Sequence, residues 1–367
     1  MGDINGSTVD KVIRNEDIKC LMLNYMDVYN KKEIKKENLS FNSATPWQIY
    51  TNNILEGDVF ITPSSETKYE LGFAKTSNVE ILNGVYSYHL IRFRPKNIKI
   101  ERSYLDYLFD TQKYRTYFSI NGQGAQRFTL SLSFFKNAII YLPSLKEQER
   151  IIKLLKTLDS SIALLQRKLE KMKIIKEFLL NKMFVSGQAE FPEIRFKGFT
   201  NSWVQSPIET FVSKILKSNI FINDFKKTGN YPVYSATDIF GFINDNHLKE
   251  DAILISVDGS IGNLRIVNKN SWFISTNQAI IPNKNINIIF LFNILKRINF
   301  NKITIGTTIK HLYYSEYKNI LIWSPKMNEQ TKISKIFTNL DSSIALFQRK
   351  LEKLENIKKT LLNKMFI

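Results

Sequence analysis

One cysteine, Cys20, and three scattered histidines, His89, His247 and His311, are all this chain of 367 residues offers in thiol and imidazole chemistry. A single thiol cannot close an internal disulfide, so nothing argues for an oxidising compartment. One Cys and three distant His make no set of metal ligands with recognisable spacing. Long apolar runs are also missing. The longest, Ile286 to Leu295, is broken by Asn287 and Asn293, far short of the roughly 20 residues that span a bilayer. The start, Met1-Gly2-Asp3-Ile4-Asn5, has no basic region followed by an apolar one and so is no signal peptide. The expectation is a cytoplasmic protein with no membrane partner. No Walker A sequence is present for ATP, and no Asn/Asp-Pro-Pro-aromatic motif for amino-methyl transfer. Asp258-Gly259-Ser260-Ile261-Gly262 lacks the third glycine and the following helix of a nucleotide loop, and reads as a strand turn. Acidic residues are scarce as well: 34 Asp and Glu stand against 52 Lys and Arg, a formal charge of +18.

What is present narrows the class. With 43% hydrophobic and 13% aromatic residues the chain can bury a core, so it is not a disordered polycation. Its length suits two or three domains. The positive excess favours a polyanion, with nucleic acid ahead of a membrane surface.

The most informative feature is internal. Residues 143–184 and 325–366 align without gaps at an offset of 182, with 26 identities in 42 positions. The same offset pairs Gly124 with Gly306, Leu130 with Leu312, and Lys136-Asn137 with Lys318-Asn319. The chain is a duplication whose order is variable, shared, variable, shared. The boundaries read 1–142, 143–187, 188–324 and 325–367.

In the shared segments Ile162, Leu165, Leu169, Met172, Lys176, Leu179 and Met183 alternate steps of three and four, a heptad stripe. The second copy gives Ile344, Phe347, Leu351, Leu354, Lys358, Leu361 and Met365. A lysine at the same seam position in both copies points to a register device or an exposed edge. Asp159-Ser160-Ser161 and Asp341-Ser342-Ser343 are good N-cap material. The reading is therefore a short helix, about 147–158, leading into a long one, about 162–184. Ser144 and Glu147 suit a capping box that Lys326 breaks in the second copy. Gly187 serves as the C-terminal stop. A stripe this narrow cannot hold a helix alone, and the economical partner is the other copy, packed antiparallel. A 23-residue helix spans roughly 35 Å, close to the roughly 34–36 Å between half-sites one DNA turn apart.

The variable segments carry β-branched and aromatic runs with turn punctuation. Candidate strands are Asp58–Thr62, Tyr86–Phe93, Ala252–Ser256 and Gln278–Ile281, and candidate helices are Tyr104–Thr116 and Ile288–Ile298. Each segment reads as α+β. Gly187, Gln188, Pro192 and Gly198 mark the linker between repeats.

On these residues the chain resembles the specificity subunits of type I restriction-modification systems, over essentially its whole length. The marks are Pro143…Glu147-Gln148…Ile151 and Pro325…Glu329-Gln330…Ile333 at the entries to the shared helices. Leu179-Leu180-Asn181-Lys182-Met183-Phe184 and its repeat at 361–366 lie at their ends. The stretch from Arg195 to Trp203 resembles the usual opening of a recognition domain. Ser275-Thr276-Asn277-Gln278-Ala279, the Asp258–Gly262 turn, and the stretches 124–130 and 306–312 match recurrent patterns. One departure stands out: Gly2-Asp3-Ile4 looks like the middle of that opening, with no equivalent of Arg195–Trp203 before it, so the first domain reads as starting late.

The resemblance implies two α/β target recognition domains, separated by an antiparallel pair of long helices with pseudo-twofold symmetry. It implies double-stranded DNA as ligand, read as a split, asymmetric target. Two methyltransferase subunits, and restriction subunits through the complex, are the implied partners. S-adenosylmethionine, ATP and Mg would then belong to those partners, with no cofactor, metal or catalytic residue in this chain.

Reading base edges needs short polar or basic side chains on loops, with glycine allowing close backbone approach. The candidates in the first domain are Ser64, Ser65, Glu66 and Thr67, with Gly122, Gly124, Gln126 and Arg127. In the second they are Asp258, Gly259, Ser260, Asn263 and Arg265, with Thr307, Thr308, Lys310 and His311. Against this stand a plain turn beside a strand for each loop, a coiled-coil scaffold with no DNA role, and a chain with methyltransferase or nuclease activity of its own. Each helical segment nets +5, leaving +8 on the variable segments. The arms are therefore not the only basic surface.

Overall fold

The computed structural model describes residues 1–96, 98–187, 189–220, 225–245, 247–306 and 310–366. They form two compact units, Met1–Gln166 with Lys350–Ile367, and Arg167–Arg349. Both mix sheets with helices, the α+β class the patterning predicts.

In the first unit one four-stranded sheet runs Gly2–Gly6, Ile91–Pro95, Val59–Ile61, Ala74–Thr76, antiparallel throughout. A second runs Ser40–Ala44, Ile18–Leu23, Ile81–Tyr86, Asn53–Ile54. The expected strand Tyr86–Phe93 is thus two, because the chain turns at Ser87–Leu90, where the Leu90 amide donates to the Ser87 carbonyl at 3.0 Å. The expected helix Tyr104–Thr116 is likewise divided, into Tyr104–Leu108 and Gln112–Asn121. Phe109, Tyr114 and Phe118 between and within these helices interlock in the core.

The second unit is built on Val212–Lys217, Asn277–Pro282, Ala252–Ser256 and Leu264–Val267 in one antiparallel sheet. Its central strand Ala252–Ser256 is buried at every position, as a continuous apolar run predicts. Helix Ile288–Leu295 packs Phe290, Leu291, Ile294 and Leu295 into the same core. Asn287 caps that helix, accepting from the amides of Ile289 at 3.0 Å and Phe290 at 3.3 Å.

The shared segments differ from expectation in one respect. Each is a single helix, Leu145–Lys182 and Met327–Met365, of 38 and 39 residues. There is no break at Asp159–Ser161 or at Asp341–Ser343. A cap residue ends a helix only where the backbone offers an alternative, and no Gly or Pro lies between 145 and 182. Ser160 and Ser161 instead donate back to the carbonyls of Lys156 and Thr157, both at 2.9 Å, and stay within the helix. Such a helix is about 57 Å long, so the match of 35 Å to one DNA turn does not hold for the whole element. Nor does Gly187 stop the first helix. It ends at Lys182 because Met183, Phe184 and Val185 turn into the second unit's core, each under 7% exposed.

Within each unit the two long helices run antiparallel. In the first, Ile151, Ile152 and Leu155 share a core with Phe366, with Leu361 and Leu362 packed against it. In the second, Met183 and Phe184 share a core with Ile333 and Phe337. Every seam residue is at least half-buried: Ile162, Leu165, Leu169, Met172, Leu179 and Met183, and Ile344, Phe347, Leu351, Leu354, Leu361 and Met365. Leu164, Ile175 and Phe178 beside them are exposed. Among the described residues no helix is long and apolar enough to cross a membrane.

The entry glutamines explain the shared Glu-Gln motif. Gln148, 2% exposed, accepts from the Glu101 amide at 2.9 Å and donates to the Pro143 carbonyl at 2.9 Å. Gln330, 1% exposed, accepts from the Asn287 amide at 2.8 Å and donates to the Pro325 carbonyl at 2.9 Å. One amide side chain thus ties each long helix to the variable segment before it, satisfying a donor and an acceptor that burial would otherwise strand.

Candidate nucleic-acid interface

The candidate loops, distant in sequence, meet in each unit by one arrangement. In the first, Ser64–Ser65 pairs antiparallel with Phe128–Thr129, and Gln123 bridges to Thr129. The Leu130 amide then donates to the Pro63 carbonyl at 2.8 Å. In the second, Ile305 bridges to His311, and the Leu312 amide donates to the Val257 carbonyl at 3.0 Å. The pairs 123/305, 129/311 and 130/312 all obey the 182-residue offset. So do the two glycines, Gly124 at φ +127° and Gly306 at φ +109°. A Cβ on Gly124 would stand 2.1 Å from the Arg127 carbonyl oxygen, so only glycine closes this turn. The scaffold is common; the side chains it presents are not.

In the first unit Arg127, exposed, donates to the Ser64 hydroxyl at 3.2 Å. Gln126 is exposed on the same turn, with Gly122 buried just before it. Three residues that pattern reasoning misses complete the site. Glu70 accepts from the Tyr29 phenol at 2.7 Å, Thr67 at 2.8 Å and Ser65 at 3.2 Å. The Tyr25 phenol donates to the Ser64 carbonyl at 2.6 Å. Hydrogen bonds from Tyr29 and then Thr67 hold the Glu70 carboxyl below its usual range, and the bond to Glu70 pushes the Tyr29 phenol up. Tyr25, Tyr29, Ser65 and Glu70, with Glu66 and Arg127, border a cavity of about 310 Å³. It offers donors and acceptors side by side. Tyr25 and Tyr29 lie about 40 residues from their partners, and no local spacing announces them.

In the second unit His311 Nδ1 meets the Asp258 carboxylate in a direct side-chain contact. Gly259 at φ +71° and Gly262 at φ +80° shape the turn, with Ser260 and Asn263 exposed on it. Lys310 is exposed beside His311. Arg265 departs from the cluster: its guanidinium lies 4.9 Å from the Tyr234 ring centroid and donates to the Ser235 carbonyl at 3.4 Å. Thr307 and Thr308 lie outside the described residues. Among the described residues no group of three His, Cys, Asp or Glu could hold a metal ion.

The model of the type I restriction modification DNA specificity domain matches this chain twice, over residues 6–173 and 202–356. The chain belongs to that family. Similar proteins include the MjaX type I restriction enzyme specificity subunit of Methanocaldococcus jannaschii, 24% identical over 304 residues, 76% of this chain and 70% of the relative. The MjaVIII specificity subunit of the same organism is 22% identical over 311 residues, 76% of this chain and 73% of the relative. Among solved structures, the type I S subunit from M. genitalium superposes with a TM-score of 0.67 at 17% identity, covering 100% of this chain and 94% of that one. A chain from a study of complex assembly and conformational transition in the type I R-M system gives 0.52 at 16% identity, covering 96% and 92%. These likenesses carry the fold. The two family matches fall one on each repeat, so two specificity domains stand in one chain.

Proposed function

We propose that this chain is the DNA-reading and assembly subunit of a type I restriction-modification complex, in which residues 1–142 and 188–324 each recognise one half of a split, asymmetric DNA target. One observation carries this reading. Repeat-related bridges, Gln123–Thr129 and Ile305–His311, each beside a glycine of positive φ, recur in both units, yet beside them one unit carries Arg127 and Ser64 and the other His311, Lys310 and Asp258. Equal geometry with unequal donors and acceptors is what reading two different half-sites requires.

Segments 143–187 and 325–367 hold the spacing and meet two identical methyltransferase subunits, since a repeat presents equivalent surfaces twice. Their basic charges supply salt-dependent phosphate affinity without sequence information. Methyl transfer and cleavage fall to the methyltransferase and restriction subunits, which hold S-adenosylmethionine, ATP and Mg, in the cytoplasm. This chain supplies position and specificity, with no catalytic step of its own.

Methylome sequencing of cells expressing the chain with its methyltransferase tests the reading. A split methylated motif with one fixed gap is expected. A contiguous motif would overturn it, and so would methylation with no sequence preference. The rival scaffold role predicts no DNA retention in a gel shift of the complex on any sequence.

A further inference from the structure

The seam lysines are not an exposed edge. Lys176 Nζ meets the Asp341 carboxylate, and Lys358 Nζ meets Asp159 at 2.5 Å. Lys176 and Lys358, like Asp159 and Asp341, are repeat equivalents at the 182-residue offset, so each ion pair joins the lysine of one copy to the aspartate of the other. The aspartates are the very residues that first read as helix caps. Both lysines sit in a stripe otherwise made of Ile, Leu, Met and Phe, and their side chains keep only 15% and 25% of their exposure.

Register is what such pairs control. The two pairs lie 17 residues apart on each helix, counted in opposite directions, so one antiparallel register satisfies both. Sliding either helix by one heptad breaks both together. In one direction Lys176 would face Gln348 and Lys358 would face Gln166; in the other they would face Ser334 and Ile152. Apolar seam residues discriminate poorly between such registers, because Leu packs about as well on Ile as on Met. A half-buried ammonium left without its carboxylate discriminates strongly. Polar residues at seam positions are known to fix register at a cost in stability. The first pair has a further tie: the Tyr107 phenol donates to Asp159 at 2.6 Å, and Lys358 lies 5.6 Å from the centre of its ring. A residue of the first recognition segment thereby holds both members of its pair.

We infer that Lys176–Asp341 and Lys358–Asp159 form a two-point register lock, which makes these four residues positioning determinants of the gap in the DNA target. The inference rests on the split-target reading above.

The test compares the full chain, co-expressed with its methyltransferase, in three forms: wild type, K176M/K358M, and K176D/D341K with K358D/D159K, which exchanges the charges. Melting and methylome sequencing are both read. The methionine variant should melt no lower than wild type, because apolar residues suit the seam. It should nevertheless discriminate at least about tenfold less between the wild-type gap and gaps one or two base pairs different. The exchanged variant should keep the single gap. Unchanged gap discrimination in K176M/K358M overturns the lock, as does loss of discrimination in the charge-exchanged chain. If the methionine variant does not fold, the lysines serve stability rather than register, and the inference fails. A wild type with no split motif defeats the recognition reading instead. The lock is then judged by melting: K176D should lower it and added D341K restore it, and no restoration overturns the pairing.

Discussion

The two units follow one plan, but the second is clasped where the first is open. In the second, Arg195 donates to both carboxylate oxygens of Glu329, at 2.7 and 2.8 Å, and Glu329 is 2% exposed. Val204–Pro207 also pairs with Leu321–Ser324 as a short sheet. The repeat equivalents in the first unit are Glu147, which is exposed, and residues 139–142, which form no strand and leave Ile139 and Tyr141 71% and 61% exposed. The first unit uses Gly2–Gly6 differently, as an edge strand on Ile91–Pro95. The backbone pairing of the candidate loops, by contrast, recurs in both, at 123/129 and at 305/311. Duplication has preserved what positions the loops and released what surrounds them.

Removing the clasp should have the largest effect. Arg195→Met leaves Glu329 buried and unpaired and should cost about 3–5 kcal/mol, read as a lower melting transition with faster hydrogen exchange in 321–337. Glu147→Gln, the equivalent position in the open unit, should stay within about 0.5 kcal/mol of wild type. Next come the helix-end phenylalanines. Phe366, packed 5.1 Å from the Tyr104 ring, and Phe184, 5.1 Å from Phe290, are equivalents, and truncation of either to Ala should cost about 3 kcal/mol. Hydrogen exchange should then localise the loosening: 104–118 for Phe366→Ala, and 288–295 for Phe184→Ala. Loosening of the opposite element by either variant would contradict the assignment of each helix end to its own core.

The repeat, the seam and the entry motifs were legible because identity at a fixed offset and heptad spacing survive in one dimension. The continuity of the helices through Asp159 and Asp341 was not. A cap and a cross-helix ion pair call for the same residue type, and only the partner helix tells them apart. Ser64, Arg127, Asp258 and His311 were marked by glycine and polar neighbours, but Glu70, Tyr25 and Tyr29 join them only through tertiary contacts. Arg265 stands apart from them: its strand directs it toward Tyr234, away from the Asp258–His311 contact, and no sequence spacing announces that.

Substitutions at the candidate loops themselves should have smaller effects. Gly124→Ala forces a Cβ onto the Arg127 carbonyl and should cost about 1–3 kcal/mol, with loss of methylation out of proportion to that figure. Smallest is a pH effect at Glu70. Its carboxyl is held below the ordinary range by Tyr29 and Thr67, so its contribution is full above the usual glutamate pKa and is lost as pH falls through the depressed value. Melting curves of wild type and Glu70→Gln from neutral to acid pH should therefore converge, since the variant lacks that dependence from the start.

On the proposed reading, a shared frame carries two independent readers. The direct measurement is the methylome of Arg127→Ala beside that of Lys310→Ala, each with the same methyltransferase. Each variant should relax or change one half of the split motif, a different half in each case, with the other half and the gap intact. If either variant changed both halves, or weakened methylation evenly at every sequence, the claim of independent reading would be contradicted.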